Sequence, residues 1–254
     1  MGEGDHPKDG GGGSPVTGAP ANDLDEPLRQ GDPDRWLSSR FIADPERRAD
    51  VIALYAFDRE LSQVLRAARE PLMAEIRLTW WSEGLDEVLD GRPPPGHPVL
   101  AALARAIARH RLADAPLRAM LEARFEALEA PIPADAAALE ARIDATDGAV
   151  MALATAVLAG VDALAIRPAA QAWGLARRLA EGDAALPLGW DQREAARKAR
   201  SRLAEARRAA RALPVAAFPA VAHVALAGPY LAGRRPLGLE KRLRLTWAVL
   251  TGRI

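Results

Sequence analysis

From Asp34 onward one pattern repeats along the chain: stretches rich in alanine, leucine and arginine, separated by prolines. Within these stretches apolar residues recur with the 3.6-residue spacing of amphipathic helices, and no alternating strand pattern occurs. No heptad register persists, which excludes a coiled coil. The pattern predicts an all-α globule. The predicted helices cover residues 45–68, 71–89, 98–111, 116–130, 135–160, 168–182, 191–212, 216–231 and 239–251.

Residues 1–31 differ in composition from the rest of the chain. They are rich in glycine, proline and aspartate and contain few large apolar side chains. Such a segment buries too little apolar surface to offset the entropy lost on ordering. We therefore predict a disordered N-terminal tail over residues 1–31 and one helical domain over residues 32–254.

Charge and composition exclude several classes of function. The 34 lysines and arginines balance the 34 aspartates and glutamates, so no net field draws the chain to nucleic acid. The chain contains no cysteine, which excludes thiol catalysis and cysteine-based zinc sites. The N-terminal residues resemble neither a secretory signal nor a transit peptide. The two most apolar stretches, residues 150–166 and 215–231, are interrupted by Asp162 or by prolines, and we interpret them as core helices. We expect a cytoplasmic protein, with peripheral contact at the inner face of the membrane as the alternative.

Two polar residues interrupt the apolar stripe of the first long helix. Val51, Leu54, Tyr55, Leu61 and Leu65 form this stripe. Asp58 and Ser62 fall on the same face, where the helical period predicts apolar groups. On the next helix, the same periodicity predicts that Ile76, Trp80 and either Leu85 or Val88 point inward. A buried carboxylate on a core-facing stripe indicates a functional site or a structural ion pair.

Generic catalytic motifs do not occur in the sequence: there is no GxGxxG, P-loop, HExxH or GxSxG. The histidines are scattered, and His97, between Gly96 and Pro98, is predicted to be a connector or capping residue. The arginine-rich segment 193–211 also contains acidic residues. We therefore interpret it as the solvated face of a helix, not as a phosphate site.

Several short segments follow one another in a distinctive order and spacing. They are Tyr55-Ala56-Phe57-Asp58-Arg59-Glu60-Leu61, Glu75-Ile76-Arg77-Leu78-Thr79-Trp80-Trp81, residues 91–93 and 97–103, Glu122-Ala123-Arg124, Ala145-Thr146-Asp147-Gly148-Ala149 and Trp173-Gly174-Leu175-Ala176. This succession resembles the squalene/phytoene synthase superfamily. The resemblance implies an isoprenoid-synthase-type helical bundle around a central apolar cavity. In that family two Asp-rich motifs face each other across the cavity mouth and hold Mg²⁺, which binds the diphosphate of a prenyl substrate. The resemblance covers most of residues 34–187.

The residues that would bind metal in this family are replaced here. The first motif carries Ser62, Gln63 and Arg66 in place of its aspartates. In the second motif Ala185 stands at the first aspartate position, and Glu181 and Asp183 lie nearby but out of register. On the helix that carries Arg124, the usual aspartate is Ala127. We therefore predict no metal site, no cofactor and no catalytic residue.

Close to the first motif, the first helix retains the acidic residues Asp58 and Glu60. We predict that they form structural ion pairs with Arg77 or Arg59. The candidate functional surface is the mouth of the family cavity. The residues expected there are Tyr55, Asp58, Arg77, Trp80 and Trp81.

The amino-acid sequence of residues 75–81 resembles one branch of the superfamily, the branch that contains complex I assembly factor 6. This resemblance implies a non-catalytic scaffold with a protein partner, in the assembly of respiratory NADH dehydrogenase. Two alternatives remain. The first is a prenyl-diphosphate transferase with a rewired metal site built from Asp58, Glu60, Glu181 or Asp183. The second is a non-catalytic isoprenoid or lipid binder, whose cavity would be lined by Leu54, Trp80 and residues 150–158.

Overall fold

A computed structural model describes residues 24–67, 70–94, 96–160, 163–182, 186–187 and 190–254. These residues contain helices and no strand, which confirms the predicted all-α class. The α-helices are α1 (Asp25–Gly31), α2 (Pro33–Ser39), α3 (Pro45–Ala67), α4 (Pro71–Leu89), α5 (Pro98–His110), α6 (Asp114–Glu129), α7 (Ala136–Ile143), α8 (Ala149–Ala159), α9 (Ala163–Glu181), α10 (Gln192–Ala209), α11 (Ala227–Leu231) and α12 (Gly238–Thr251). Among these described helices, none combines the length and apolarity that crossing a membrane requires.

Prolines and side-chain caps set the starts of the helices. Helices α2 to α5 each begin at a proline, whose fixed φ suits the first helical turn and whose missing N–H is not needed there. The side chain of Asp32 caps α2, accepting a hydrogen bond from the Arg35 backbone N–H at 3.1 Å. The His97 ring nitrogen accepts one from the Val99 N–H at 3.3 Å, at the start of α5. The predicted capping role of His97 is therefore confirmed.

Three predicted helices differ from the structure in detail. The helix predicted over residues 135–160 contains a π-helical turn, Asp144–Gly148, between α7 and α8. The helix predicted over residues 216–231 is mostly 3-10 helix, Val215–Ala220 and Ala222–Leu226, before α11 begins. Pro219 interrupts regular α-helical hydrogen bonding in that stretch because it lacks an N–H. Helix α9 begins at Ala163 and includes Pro168 in its interior.

The end of the predicted N-terminal tail is helical. Helix α1 covers residues 25–31, and both Leu24 and Leu28 are buried in the core. The indole N–H of Trp36 donates to Asp25 at 3.2 Å, which fixes α1 against α2. The burial of Leu24 and Leu28 and the Trp36–Asp25 hydrogen bond offset the conformational entropy that this segment loses on ordering. The predicted boundary at residue 31 is corrected for residues 24–31, and residues 1–23 lie outside the described residues.

Two apolar cores organise the bundle. The first surrounds α3 and includes side chains of α4, α5, α6 and α8. The second surrounds α9 and includes side chains of α10, α11, α12 and the 3-10 segments. Both apolar stretches singled out in the sequence contribute to these cores, as Leu153 and Val224 illustrate. Helix α10 buries Ala199 and Leu203 and keeps Arg197 exposed, as predicted for the arginine-rich segment.

The inward face of α4 is only partly the predicted one, since Leu85 and Val88 are buried as expected but Ile76 and Trp80 are not. Leu78, Trp81 and Leu85 are buried, whereas Ile76 and Trp80 are 53 % and 40 % exposed. Both stripes have helical spacing, so periodicity alone cannot choose between them. Packing against α5 and α6 selects the stripe that contains Leu78, and Trp81 then stacks edge-on against Phe57 of α3.

Gly174 allows α9 to approach the π-helical turn closely. A Cβ at this position would lie 2.6 Å from Cγ2 of Ile143 and 3.0 Å from Oδ2 of Asp147. We predict that Gly174→Ala lowers the free energy of unfolding by about 1–3 kcal/mol, because a packed core resists an added methyl group. Chemical denaturation followed by circular dichroism measures this change. Gly228→Ala is the matched control, since a Cβ there meets no atom within 4 Å. Equal stability of both variants would contradict the prediction.

Candidate functional site

A buried arginine joins two aspartates from distant parts of the chain. Arg35 of α2 donates from Nη1 to Oδ2 of Asp58 at 2.6 Å and from Nη2 to Oδ1 of Asp147 at 2.8 Å. Asp58 lies on α3, and Asp147 lies in the π-helical turn before α8. The three side chains are at most 3 % exposed. One guanidinium therefore bridges two carboxylates inside the protein.

Further arginines complete the coordination of both carboxylates. Arg124 of α6 donates to Oδ1 of Asp58 at 2.6 Å and to the Ser62 hydroxyl at 3.0 Å. Arg177 of α9 donates to Oδ1 of Asp147 at 3.2 Å, and Arg178 lies 3.6 Å from Oδ2. Each of the four carboxylate oxygens thus faces a guanidinium group. We call these six charged residues the arginine–aspartate cluster: Arg35, Asp58, Arg124, Asp147, Arg177 and Arg178.

The cluster keeps both carboxylates ionised. Burial alone would raise the pKa of Asp58 and Asp147, because desolvation disfavours a charge. The surrounding guanidinium groups outweigh that effect and hold both pKa values below their usual range. The side chains of Arg35 and Arg124 are also buried. Both pair with Asp58, and Arg35 also pairs with Asp147 and, at 3.5 Å, with Asp32. The buried charges of the cluster therefore lie next to charges of opposite sign.

A cavity of about 570 Å³ opens beside the cluster. Its walls come from α1, α2, α3, α9, α11 and α12 and from the connectors next to them. Four of the predicted motif residues meet here: Ser62, Gln63, Arg66 and Glu181. The full lining is Gly31, Asp32, Pro33, Asp34, Asp58, Arg59, Ser62, Gln63, Arg66, Trp173, Arg177, Ala180, Glu181, Tyr230, Arg235 and Lys241.

An ion pair crosses the opening between the two helices that the resemblance assigns to metal binding. Arg66 of α3 lies 3.9 Å from a carboxylate oxygen of Glu181 on α9. Arg177 contacts the same carboxylate at 3.4 Å. Both Arg66 and Glu181 are about half exposed, so this pair is weaker than the buried cluster. The two side chains nevertheless link α3 to α9 across the opening.

A second cavity, of about 360 Å³, lies on the other side of Ser62 and Arg66. Ala127 lines it, at a position where the resemblance places an aspartate. Five arginines and one acidic residue line this cavity: Arg66, Arg124, Arg142, Arg177, Arg178 and Glu181. Its charge is the opposite of what a divalent cation requires.

The other predicted cavity-mouth residues lie elsewhere. Tyr55 is buried, with its ring 5.5 Å from the Arg35 guanidinium, and burial raises the pKa of its hydroxyl. Trp81 is a core residue that stacks on His97 with a centroid distance of 4.8 Å. Arg77 and Trp80 are exposed on α4 and are not among the lining residues of either cavity described above. Asp183 and Ala185 lie outside the described residues.

The predicted ion pairs are half right. Glu60 pairs with Arg59 at 2.8 Å, as expected. Asp58 does not pair with Arg77 or Arg59, because its side chain points inward, to Arg35 and Arg124. The sequence does not indicate Arg35 or Arg124 as partners of Asp58, because they lie 23 and 66 residues away from it along the chain. The feature of the sequence that indicates this site is Asp58 itself, a carboxylate on the otherwise apolar stripe of α3.

The donor set does not fit the Mg²⁺ ions of the family. Mg²⁺ needs nearly octahedral oxygen coordination and takes carboxylates with free lone pairs. The oxygens of Asp58 and Asp147 are already occupied by guanidinium groups, and Arg66 places a cation at the first motif. Within the described residues, no group of three or more acidic or histidine side chains could hold a metal ion.

The helical bundle matches solved isoprenoid synthases. A dehydrosqualene synthase in complex with ligand superposes with a TM-score of 0.73 at 15 % identity, covering 90 % of this chain and 94 % of that chain. The squalene synthase HpnC from Alicyclobacillus acidocaldarius superposes with a TM-score of 0.64 at 16 % identity, covering 90 % and 93 %. These likenesses confirm the predicted fold class, the isoprenoid-synthase fold.

The sequence itself defines the family. The model of the squalene/phytoene synthase family matches residues 28–181, more than half of the chain, so the chain belongs to that family. Two curated relatives are described as NADH dehydrogenase (ubiquinone) complex I, assembly factor 6. The Bos taurus protein is 30 % identical and the Homo sapiens protein 31 % identical, each over 104 residues. The match covers 41 % of this chain and only 31 % of each relative.

Removing Arg35 should destabilise the whole domain. We predict that Arg35→Ala lowers the free energy of unfolding by about 3–5 kcal/mol, because two buried carboxylates lose their shared partner. Arg35→Lys should recover only part of this loss, since an ammonium cannot bridge two carboxylates as a planar guanidinium does. Urea denaturation provides the measurement.

Arg118→Ala is the control for this experiment. The Arg118–Asp86 pair is nearly half exposed, and its loss should cost at most about 1 kcal/mol. If Arg35→Ala were no more destabilising than Arg118→Ala, the cluster would not be the structural centre described here.

Proposed function

We propose that this chain is a non-catalytic member of the squalene/phytoene synthase family that acts through a protein partner in the assembly of respiratory NADH dehydrogenase. The observation that carries the first half of the proposal is the arginine–aspartate cluster. Guanidinium groups engage all the oxygens of Asp58 and Asp147, next to the place where the family holds its metal ions.

Electrostatics argues against metal-dependent chemistry at this site. Two like unit charges 4 Å apart repel by about 4 kcal/mol at an effective dielectric constant of 20. A divalent cation next to Arg66, Arg177 and Arg178 would be repelled by each of these positive charges. Among the residues that the structure describes, no free pair of carboxylates lines that cavity to offset the repulsion. The rewired metal site considered above needs Asp58, which is bound to arginines, and Glu60, which is paired with Arg59.

The core argues against an isoprenoid binder of the kind considered above. Leu54, Leu153 and Val157 are each at most 3 % exposed and belong to one packed core. Trp80, the other expected wall of an apolar cavity, lies on the surface of α4. Several charged side chains line the larger cavity beside the cluster, among them Asp34, Arg177 and Lys241, and a prenyl chain would desolvate them at a cost.

The assembly half of the proposal is supported by the relatives. Both curated relatives carry the description of complex I assembly factor 6, and they share 104 aligned residues with this chain. The aligned part is shorter than those proteins, so the transfer of their role is a hypothesis about a shared surface. An exposed apolar stripe on α4, with Leu72, Ile76 and Trp80, is available for contact with a protein.

The catalytic half is tested with purified protein, Mg²⁺ and farnesyl or geranylgeranyl diphosphate. We expect neither pyrophosphate release nor squalene or phytoene, because the diphosphate lacks its metal. Ser62→Asp combined with Arg66→Asp should allow weak Mg²⁺ binding by titration calorimetry, still without turnover, since Asp58 and Asp147 remain bound to arginines. Formation of squalene or phytoene by the unmodified chain would contradict the proposal.

The assembly half is tested by affinity purification from cells followed by mass spectrometry. We expect subunits or assembly proteins of NADH dehydrogenase to co-purify with the unmodified chain. The variant Ile76→Glu should reduce that recovery if the α4 stripe is the contact surface, and Ile132→Glu, at a similarly exposed residue in a connector, is its control. Recovery of no NADH dehydrogenase component with the unmodified chain would refute this half of the proposal.

A further inference from the structure

Residues 206–254 carry a net positive charge, whereas the whole chain is neutral. The complete sequence is formally neutral, with 34 basic and 34 acidic residues. Residues 206–254, by contrast, contain nine arginines and lysines and one acidic residue, Glu240. Three of these basic residues, Arg207, Arg244 and Arg253, line one surface pocket on helix α12.

Helix α12 carries large apolar side chains on its solvent-facing side. Its inner side buries Leu245 and Ala248. On the outer side Leu239, Leu243 and Leu250 are 63–80 % exposed, and Trp247 is 56 % exposed. The spacing of these four residues keeps them within one face of the helix. We call this face the α12 ridge: Leu239, Leu243, Trp247 and Leu250.

The ridge continues beyond the helix and has basic edges. Leu237, just before α12, and Val215, in the 3-10 segment, are also strongly exposed, at 79 % and 85 %. The exposed Arg253 lines a surface pocket together with Leu243, Trp247 and Leu250. Arg242 is exposed on the helix itself. The one acid, Glu240, is engaged by Arg244 at 2.9 Å and by Arg234 at 3.3 Å.

The helix is fixed in this orientation by its other side. Lys241 forms an ion pair with Asp34 at 2.6 Å, and the Arg207 guanidinium donates to the backbone oxygen of Ile254 at 2.9 Å. Together with buried Leu245, these contacts prevent the helix from turning its apolar side inward. The exposed leucines and tryptophan are therefore a property of the folded state.

We propose that the α12 ridge binds the surface of an anionic lipid bilayer, with the helix lying in the plane of the interface. An apolar face that contains tryptophan and leucine, bordered by arginines, has the composition of interfacial helices. Tryptophan favours the boundary between head groups and acyl chains, and the arginines meet anionic head groups. The excess positive charge selects an anionic bilayer over a neutral one. This proposal does not depend on the absence of catalysis or on the partner proposed above.

The experiment is co-sedimentation of the full chain with vesicles. One set contains phosphatidylcholine only, and the other contains phosphatidylcholine mixed with phosphatidylglycerol. We expect at least about tenfold tighter binding to the anionic set, falling as salt is raised, because several arginines contribute. Leu243→Glu with Leu250→Glu should weaken this binding at least about tenfold, since two apolar contacts are lost. Arg242→Glu with Arg253→Glu should remove the preference for anionic vesicles.

Ile132→Glu is the control, because Ile132 is 55 % exposed and lies far from α12 along the chain. It should bind vesicles like the unmodified chain, and circular dichroism should show the same fold in all variants, since only exposed side chains change. Should the leucine pair fail to fold, Trp247→Ser tests the same surface. No binding to either vesicle set overturns the proposal, as does equal binding of the leucine and control variants. A dimer that depends on the ridge, without vesicle binding, also overturns it.

Discussion

The bridge that Arg35 forms between Asp58 and Asp147 is the contact on which the rest of the site depends. It joins α2, α3 and the π-helical turn, and the other arginines extend it to α6 and α9. Burying these charges is costly, and the cost is recovered only if every charge keeps its partners. Because the charges lie on elements from distant parts of the chain, the cluster specifies how those elements pack together.

The same contact shows how two buried carboxylates are held together inside this fold. Facing carboxylates repel each other until a cation neutralises them. Here the cation is a side chain, covalently part of the protein and charged at every physiological pH. The Arg66–Glu181 pair extends this arrangement to the surface by linking α3 to α9. Because arginine is part of the chain, this bridge is present whenever the chain is folded.

The sequence predicted the local features well and the long-range ones poorly. Prolines and capping residues gave the starts of α3, α4 and α5, because those signals lie within a few residues of the helix end. The face of α4 and the partners of Asp58 depend on packing between distant segments, which periodicity cannot resolve. Helix α1 was missed for the same reason, since Leu24 and Leu28 gain their burial only from the assembled core. The acid on the α3 stripe located the site without revealing what it binds.

Helix α12 lies between the cavity beside the arginine–aspartate cluster and the α12 ridge. Lys241 faces inward, pairs with Asp34 and lines the cavity beside the arginine–aspartate cluster, and Tyr230 also hydrogen-bonds Asp34. The α12 ridge lies on the opposite side of the same helix. A helix with its side chains is about 10 Å across, so a bilayer at the ridge would lie one helix away from the cavity wall. The Lys241–Asp34 ion pair, which borders the cavity, therefore also contributes to the orientation that exposes the ridge.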